Sequence, residues 1–285
     1  MTAGPDSGGP YTPLYEAQNS ARYDRQALIR AYEGEYACSL VAVVGPIFPP
    51  SVGFFEELLF GIDPSRDLHV MLATPGGDGE TALRLIRAAQ SRCRVLKVVI
   101  PDQAKSAGTL FALGAHKLIM GPTSDLGPVD PQFQLEGQPG FVAAKDIIGA
   151  VERATTQIQN APETYPLWAS MLSNVTAIMV QQAQSAIDRT GALLREALAS
   201  NPDRSPQDIE TLVSKLTEKL ITEPSSHAAV IGADDALAVG LPVEKLDPAS
   251  AQWQDLWRLW TRYVTLGPNM IIYEGARASQ VFPLS

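Results

Sequence analysis

Apolar residues come in blocks along the chain. From Ser39 onward the runs "SLVAVVG", "DLHVMLATP", "RVLKVVIP" and "HKLIMGP" are too apolar to leave one face in water. Between them, "SVGFFEELLFGI", "GETALRLIRAAQS" and "SAGTLFALGA" place apolar positions three or four residues apart. Short, fully apolar runs predict strands buried on both faces, and the 3.6-residue period predicts helices that cover them. Their alternation predicts an α/β fold built on a mainly parallel sheet. Beyond Gly140 the strands stop. Helices are predicted at about Phe141 to Asn160, Glu163 to Asp188, Gly191 to Ser200 and Pro206 to Leu220, a helical insertion over about 141–220. An αβ-like stretch, "GADDALAVGLPVEKL", then precedes "AQWQDLWRLWTRYV", where Trp253, Leu256, Trp257 and Trp260 recur at helical spacing and predict a packing face or an oligomer contact. The first two dozen residues, rich in Gly, Pro, Ser and Thr, predict a flexible arm over 1–25. The main domain is then expected over 35–245, with a Trp-rich helix and tail over 249–285.

Composition narrows the function classes. Hydrophobic residues make up 45% of the chain and charged residues 19%, the usage of a folded protein. A formal net charge of −9 opposes a nucleic-acid partner, whose phosphates need clustered Lys and Arg. The N-terminus lacks the basic and apolar regions of a signal peptide, and the longest apolar stretch is broken by prolines and glutamates before it reaches ~20 residues. The expectation is a soluble, cytoplasmic protein in which Cys38 and Cys93 are buried thiols.

Two turns carry candidate chemistry. In "ATPGGDGETALRLI" a strand ends and a helix begins, and Gly77-Asp-Gly79-Glu-Thr-Ala82 fits the G-x-G-x-x-A form of a dinucleotide fingerprint, with Asp102 placed 25 positions on as a ribose-binding acid. The competing reading takes Gly76 and Gly77 as backbone N–H donors to an oxyanion, since no side chain obstructs their approach. A plain strand-to-helix turn is the third. In "DQAKSAGTLFALGA", Ser106 opens a helix at the carboxyl edge of the sheet, where such folds bind ligands, and the N–H of Ala107 can join Gly77 in an oxyanion hole. Serine also caps helices, and that use competes here.

A serine hydroxyl needs a base to become a nucleophile. His116 lies ten residues along the same helical run, about 15 Å away, and is excluded. His69 begins its strand and so sits at the opposite sheet edge, while His227 is not excluded by spacing. The helical neighbours of Lys145 are Phe141, Val142, Ile148 and Gly149, an apolar face that can desolvate the amine and lower its pKa. A lysine that snorkels to water is the alternative. Lys105 is adjacent to the serine.

Together these segments resemble the Clp-protease and crotonase superfamily. "TPGGDGETALRLI" is similar to its oxyanion turn, and "AKSAGTLFALGAHKLIMGPTSDLGPVDPQF" to the nucleophile helix and next strand of its serine peptidases, above all the serine dehydrogenase proteinase family. "ADDALAVGLPVEKL" resembles that family's late element. The likeness covers roughly Ser39 to Gly140 and this later patch. It implies a spiral ββα fold, a homo-oligomer and a peptide or protein substrate. It also implies Ser106 as nucleophile, with Gly76, Gly77 and Ala107 about the oxyanion, and no metal or other cofactor. The histidine that follows the serine in the Clp proteolytic subunit has no counterpart in "GPVDPQFQL". Signal peptide peptidase A, a relative, uses a downstream lysine, and Lys145 follows Ser106 by 39 positions. The expectation is therefore a serine endopeptidase with a Ser106–Lys145 dyad, with His227 lining the site or replacing Lys145 as base. A crotonase-like acyl-coenzyme A enzyme and a catalytically silent scaffold are the alternatives. Relatives act at membranes, which leaves a membrane partner open.

Overall fold

The computed structural model describes residues 12–135, 140–224 and 226–284. Strands β1 (Cys38–Val44), β2 (Asp67–Ala73), β3 (Leu96–Ile100) and β5 (Lys117–Met120) form where the four apolar runs predict them. Short strands β4 (Gln103–Ala104), β6 (Asp125–Leu126), β7 (Gln132–Gln134) and β8 (Phe141–Ala143) lie outside the main sheet, and β9 (Val243–Lys245), β10 (Met270–Gly275) and β11 (Ser279–Pro283) join it. The seven-stranded sheet runs β11-β10-β1-β2-β3-β5-β9 and is parallel from β1 to β9. β10 and β11 pair antiparallel at one side.

The register explains why the strands are apolar throughout. Val41, Val70, Val98, Leu118 and Val243 form one row across the sheet, and Ala42, Met71, Val99 and Ile119 the next. Successive residues point to opposite faces, so the rows enter two different cores. Helices α2 (Ser51–Leu59), α3 (Gly79–Gln90), α4 (Ala107–Leu113) and α7 (Ala177–Ala199) cover the first face, with Phe55, Ile86, Phe111 and Leu194 buried there. Helices α1 (Pro13–Glu35) and α10 (Ala251–Val264) cover the second, through Ile29, Tyr32, Leu256 and Trp260. Trp253, Leu256 and Trp260 of α10 thus pack inward, and Trp257 stacks on Trp253 while half-exposed.

Two expectations need correction. The flexible arm is, from Pro13 on, the 23-residue helix α1, capped by Thr12 and opened by a proline at its first turn. Its inner face carries Arg25 and Gln26 as well as Ile29 and Tyr32. The Arg25 guanidinium donates to both carboxylate oxygens of buried Glu274 in β10, at 2.6 and 3.1 Å, so polar residues occupy positions a periodicity reading assigns to solvent. The remainder of the arm, residues 1–11, lies outside the described residues. The tail after α10, expected apart from the main domain of 35–245, belongs to it, since β10 lies beside β1 within the main sheet.

The region after Gly140 holds α5 (Ala144–Asn160), α6 (Tyr165–Met171), α7 and α8 (Pro206–Thr217), followed by a π-helical turn at Glu218–Thr222 and α9 (Ala233–Ala238). Leu193, Leu194, Ala197 and Leu198 of α7 belong to the main core, which ties this helical region to the sheet. Burial pushes the Cys38 thiol up to about 12 and the half-buried Cys93 up to about 11. Among the described residues no helix is long and apolar enough to cross a membrane.

Candidate active site

Above the carboxyl ends of the parallel strands the chain forms a ladder of short pairings. Ile47 bridges Gly77, Thr74 bridges Ala104, β4 pairs with β6, and Leu126 bridges Ile231. Each rung is a few residues from a candidate side chain. Ser106 follows Ala104, Asp130 follows Leu126, and His227 precedes Ile231. The ladder therefore sets these groups along one cleft of about 1200 Å3, lined by Gly77, Ser106, Ala107, Asp130, Lys145 and His227, among others.

Ser106 sits at φ 49° and ψ −112°, a left-handed conformation that costs a non-glycine residue about 1–3 kcal/mol. Its side chain makes no capping bond to α4, so the capping role that competed with nucleophilic use is not realised. Gly76 makes room for it: a Cβ there would lie 2.8 Å from Ser106 Cβ, and Gly76 itself has φ +114°. Gly77 is required for a different reason, because a Cβ would lie 2.0 Å from the Ile47 carbonyl oxygen.

The three expected oxyanion donors separate. Gly76 donates its N–H to Thr74 Oγ1 at 3.0 Å, so it is engaged within its own turn, and its contribution to the site is clearance. Gly77 lies opposite Ile47, whose N–H and C=O bond Gly76 O and Asp78 N, which turns the Gly77 N–H to the other side. Among the described residues neither the Gly77 nor the Ala107 N–H has an intrachain acceptor. The Ala107 N–H belongs to the open first turn of α4.

The candidate bases differ sharply. Lys145 lines the cleft, but its Nζ donates to the carbonyl oxygens of Ile221 at 3.2 Å, Thr222 at 3.3 Å and Pro224. An ammonium with three such acceptors has no lone pair to take a proton. The expected Ser106–Lys145 hydrogen bond is not formed. Lys105 is buried and pairs with Asp125, and its Nζ also donates to the carbonyls of Ala229 at 3.0 Å and Leu126 at 3.3 Å. His69 is buried in the opposite core against Tyr32, and His116 accepts the Leu96 N–H at the other end of the sheet.

His227 has the environment a base requires. Its Nδ1 lies 2.8 Å from Asp130 Oδ1, and the other oxygen of Asp130 accepts from Gln132 Nε2 at 2.6 Å. Asp130 is 4% exposed, whereas the His227 side chain is 34% exposed, so the carboxylate is the buried support and the imidazole the accessible group. A carboxylate accepts only, which gives Nδ1 the hydrogen; in the neutral imidazole the lone pair then sits on Nε2. Asp130 is the residue the sequence reading missed. It stands in "GPVDPQ", the segment that offers no histidine, and no local pattern ties it to His227, 97 residues away.

A profile of ClpP-like SDH-type serine proteinases matches residues 62–262, most of the chain and every candidate named above. The chain belongs to this family. Partial sequence similarity extends to archaeal proteins. An uncharacterized protein of Methanocaldococcus jannaschii is 32% identical over 121 residues, 37% of this chain and 42% of that protein. A membrane-bound protease of Pyrococcus horikoshii is 35% identical over 72 residues, 24% of this chain and 16% of that protein. The chain thus covers less than half the length of each. Among solved structures, a mutant of a membrane-bound stomatin-specific protease matches 76% of this chain and 81% of its own, at 15% identity and a TM-score of 0.46. The parallel sheet with its helical covers is the ClpP-like arrangement that an SDH-type serine proteinase is expected to have.

Proposed function

We propose that this serine proteinase cleaves peptide bonds as an endopeptidase with Ser106 as nucleophile, His227 as general base and Asp130 as the group that orients it. Ser106 Oγ attacks the peptide carbonyl while Nε2 of His227 takes its proton and then gives it to the leaving amine. The N–H groups of Gly77 and Ala107 hold the oxyanion, and the open end of α4 favours its charge. The observation that carries this reading is the 2.8 Å contact between His227 Nδ1 and buried Asp130, in the cleft that Ser106 lines. The Lys145 dyad would first require the ammonium to leave three carbonyls and lose its proton. Against an acyl-coenzyme A substrate, the two lysines that line the cleft among the described residues, Lys105 and Lys145, are both engaged by protein groups. Homo-oligomeric assembly and a cytoplasmic location belong to the same proposal, the first read directly by analytical ultracentrifugation.

Labelling with a fluorophosphonate tests the chemistry. Wild type is expected to label stoichiometrically, Ser106→Ala not at all, and His227→Ala at least about 100-fold more slowly, the scale of general-base assistance. Wild-type labelling by His227→Ala removes the histidine from the mechanism. A wild-type protein that never labels leaves a scaffold.

A further inference from the structure

The segment that carries His227 buries little of its own surface. Ser226 and Ala228 are exposed, Val230 is 70% exposed, and the first core side chain after the histidine is Ile231. Loops with so few apolar contacts open at low free-energy cost unless polar contacts hold them. Here two lysines, one on each side of the histidine, supply such contacts alongside the Asp130 bond and the Leu126–Ile231 bridge.

On the N-terminal side, Lys145 Nζ binds the carbonyls of Ile221, Thr222 and Pro224, where the π-helical turn ends. The lysine stands in the first turn of α5, and the Ala144 N–H beside it donates to Pro131 O at 2.9 Å, next to Asp130. On the C-terminal side, Lys105 Nζ binds the carbonyls of Ala229 and Leu126 and pairs with Asp125. Asp125 Oδ1 in turn accepts the Ile231 N–H at 3.0 Å. A Cβ on Gly127 would lie 2.3 Å from Lys105 Cδ, so this lysine is threaded through a gap kept open for it, directly before Ser106.

We propose that Lys105 and Lys145 are positioning residues that pin the His227 loop from both sides and so keep the imidazole against Asp130 in the cleft of Ser106. This rests on the reading of His227 as the base. The two lysines do not touch the reacting atoms; each replaces, by charge–dipole contacts, the apolar burial that the loop lacks. Because Lys105 precedes the nucleophile and Lys145 lies close in the chain to the contact with Pro131, the pins reference the loop to the other two members of the site.

The test compares fluorophosphonate labelling rates of the full chain in wild type, Lys145→Met, Lys145→Arg, Lys105→Met and His227→Ala, with melting temperature recorded for each. Lys145→Met and Lys105→Met are expected to label about 10–100-fold more slowly, the cost of a displaced catalytic group. Lys145→Arg is expected to recover most of that rate, because guanidinium keeps donors for the carbonyls and is always protonated. A rescue by arginine is a result that neither a general base nor a lysine irrelevant to the site would give. If His227→Ala is slow and both methionine variants label at the wild-type rate, the pinning proposal falls alone. If Lys145→Arg is as slow as Lys145→Met while His227→Ala labels normally, Lys145 is the base, and the reading beneath the proposal falls with it. Should Lys105→Met fail to fold, the Lys145 pair decides.

Discussion

The turn at Ser106 and the loop at His227 border the same cleft but are held by different forces. Around Ser106 the backbone is fixed by short-range packing: Gly76 makes room for the serine, Gly77 passes against Ile47, and α4 behind it is buried along its length. Around His227 there is little packing, and the loop is held by the hydrogen bond to Asp130 and by ammonium–carbonyl contacts from residues 76 to 124 positions away in the chain. The proposed nucleophile is thus built into the sheet edge, while the proposed base is suspended from it. A strained serine needs a rigid frame, since a mobile one would relax the positive φ. A base that must take and return a proton needs orientation more than burial.

Substitutions on each side should break this contrast in distinct ways. After the complete loss expected for Ser106→Ala, the largest effect is expected for Asp130→Asn, which keeps the shape but lets Nδ1 accept rather than donate; the labelling rate should fall about 10³–10⁴-fold with little change in melting temperature. Gly77→Ala should lower labelling about 100-fold and the melting temperature together, because a Cβ against the Ile47 carbonyl displaces the frame itself. A rate loss without a stability loss there would contradict the packing account.

The third effect is on the sheet alone. Burial holds His69 at about 4, with Lys97 adding to the shift and Asp67 opposing it. The unfolded chain takes up this proton near pH 6.5 and the folded one resists it, so the unfolded state binds more protons in between and stability falls as pH drops through that window. The expected loss is about 2 kcal/mol between pH 7 and pH 5, read by chemical denaturation, and His69→Gln should flatten that limb without slowing labelling at pH 7. The smallest effect is expected for Arg189→Ala. Its exposed bonds to Glu80 and Glu196 join α3 and α7 at the surface, and their loss should cost under about 1 kcal/mol in the same measurement.

The same contrast governs what the sequence disclosed. The Ser106 side was legible because its signals are local: an apolar run, a Pro-Gly-Gly turn and a Ser-Ala-Gly start to a small-residue helix each depend on neighbours within a few positions. The partnership of the base was not legible, because Asp130 and His227 are 97 residues apart and each alone is an ordinary loop residue. Lys145 misled for a physical reason. Two of the four neighbours assigned to its apolar helical face, Phe141 and Val142, lie in β8 before α5 begins, and the amine is satisfied by carbonyls at the end of another turn, which helical spacing cannot disclose. α1 and β10 stayed hidden for a related reason, since Arg25 and Glu274 bury their charges against one another and Gln26 is buried beside them.

The central claim is that Ser106, His227 and the N–H groups of Gly77 and Ala107 act on one atom set. A crystal structure of the fluorophosphonate adduct tests it most directly. The account predicts phosphorus on Ser106 Oγ and the phosphonyl oxygen within hydrogen-bond reach of both N–H groups. It also predicts His227 Nε2 turned to the adduct with Nδ1 still on Asp130, and Lys145 still on its carbonyls. An adduct with Lys145 Nζ beside Oγ and the imidazole turned away from Asp130 would contradict it.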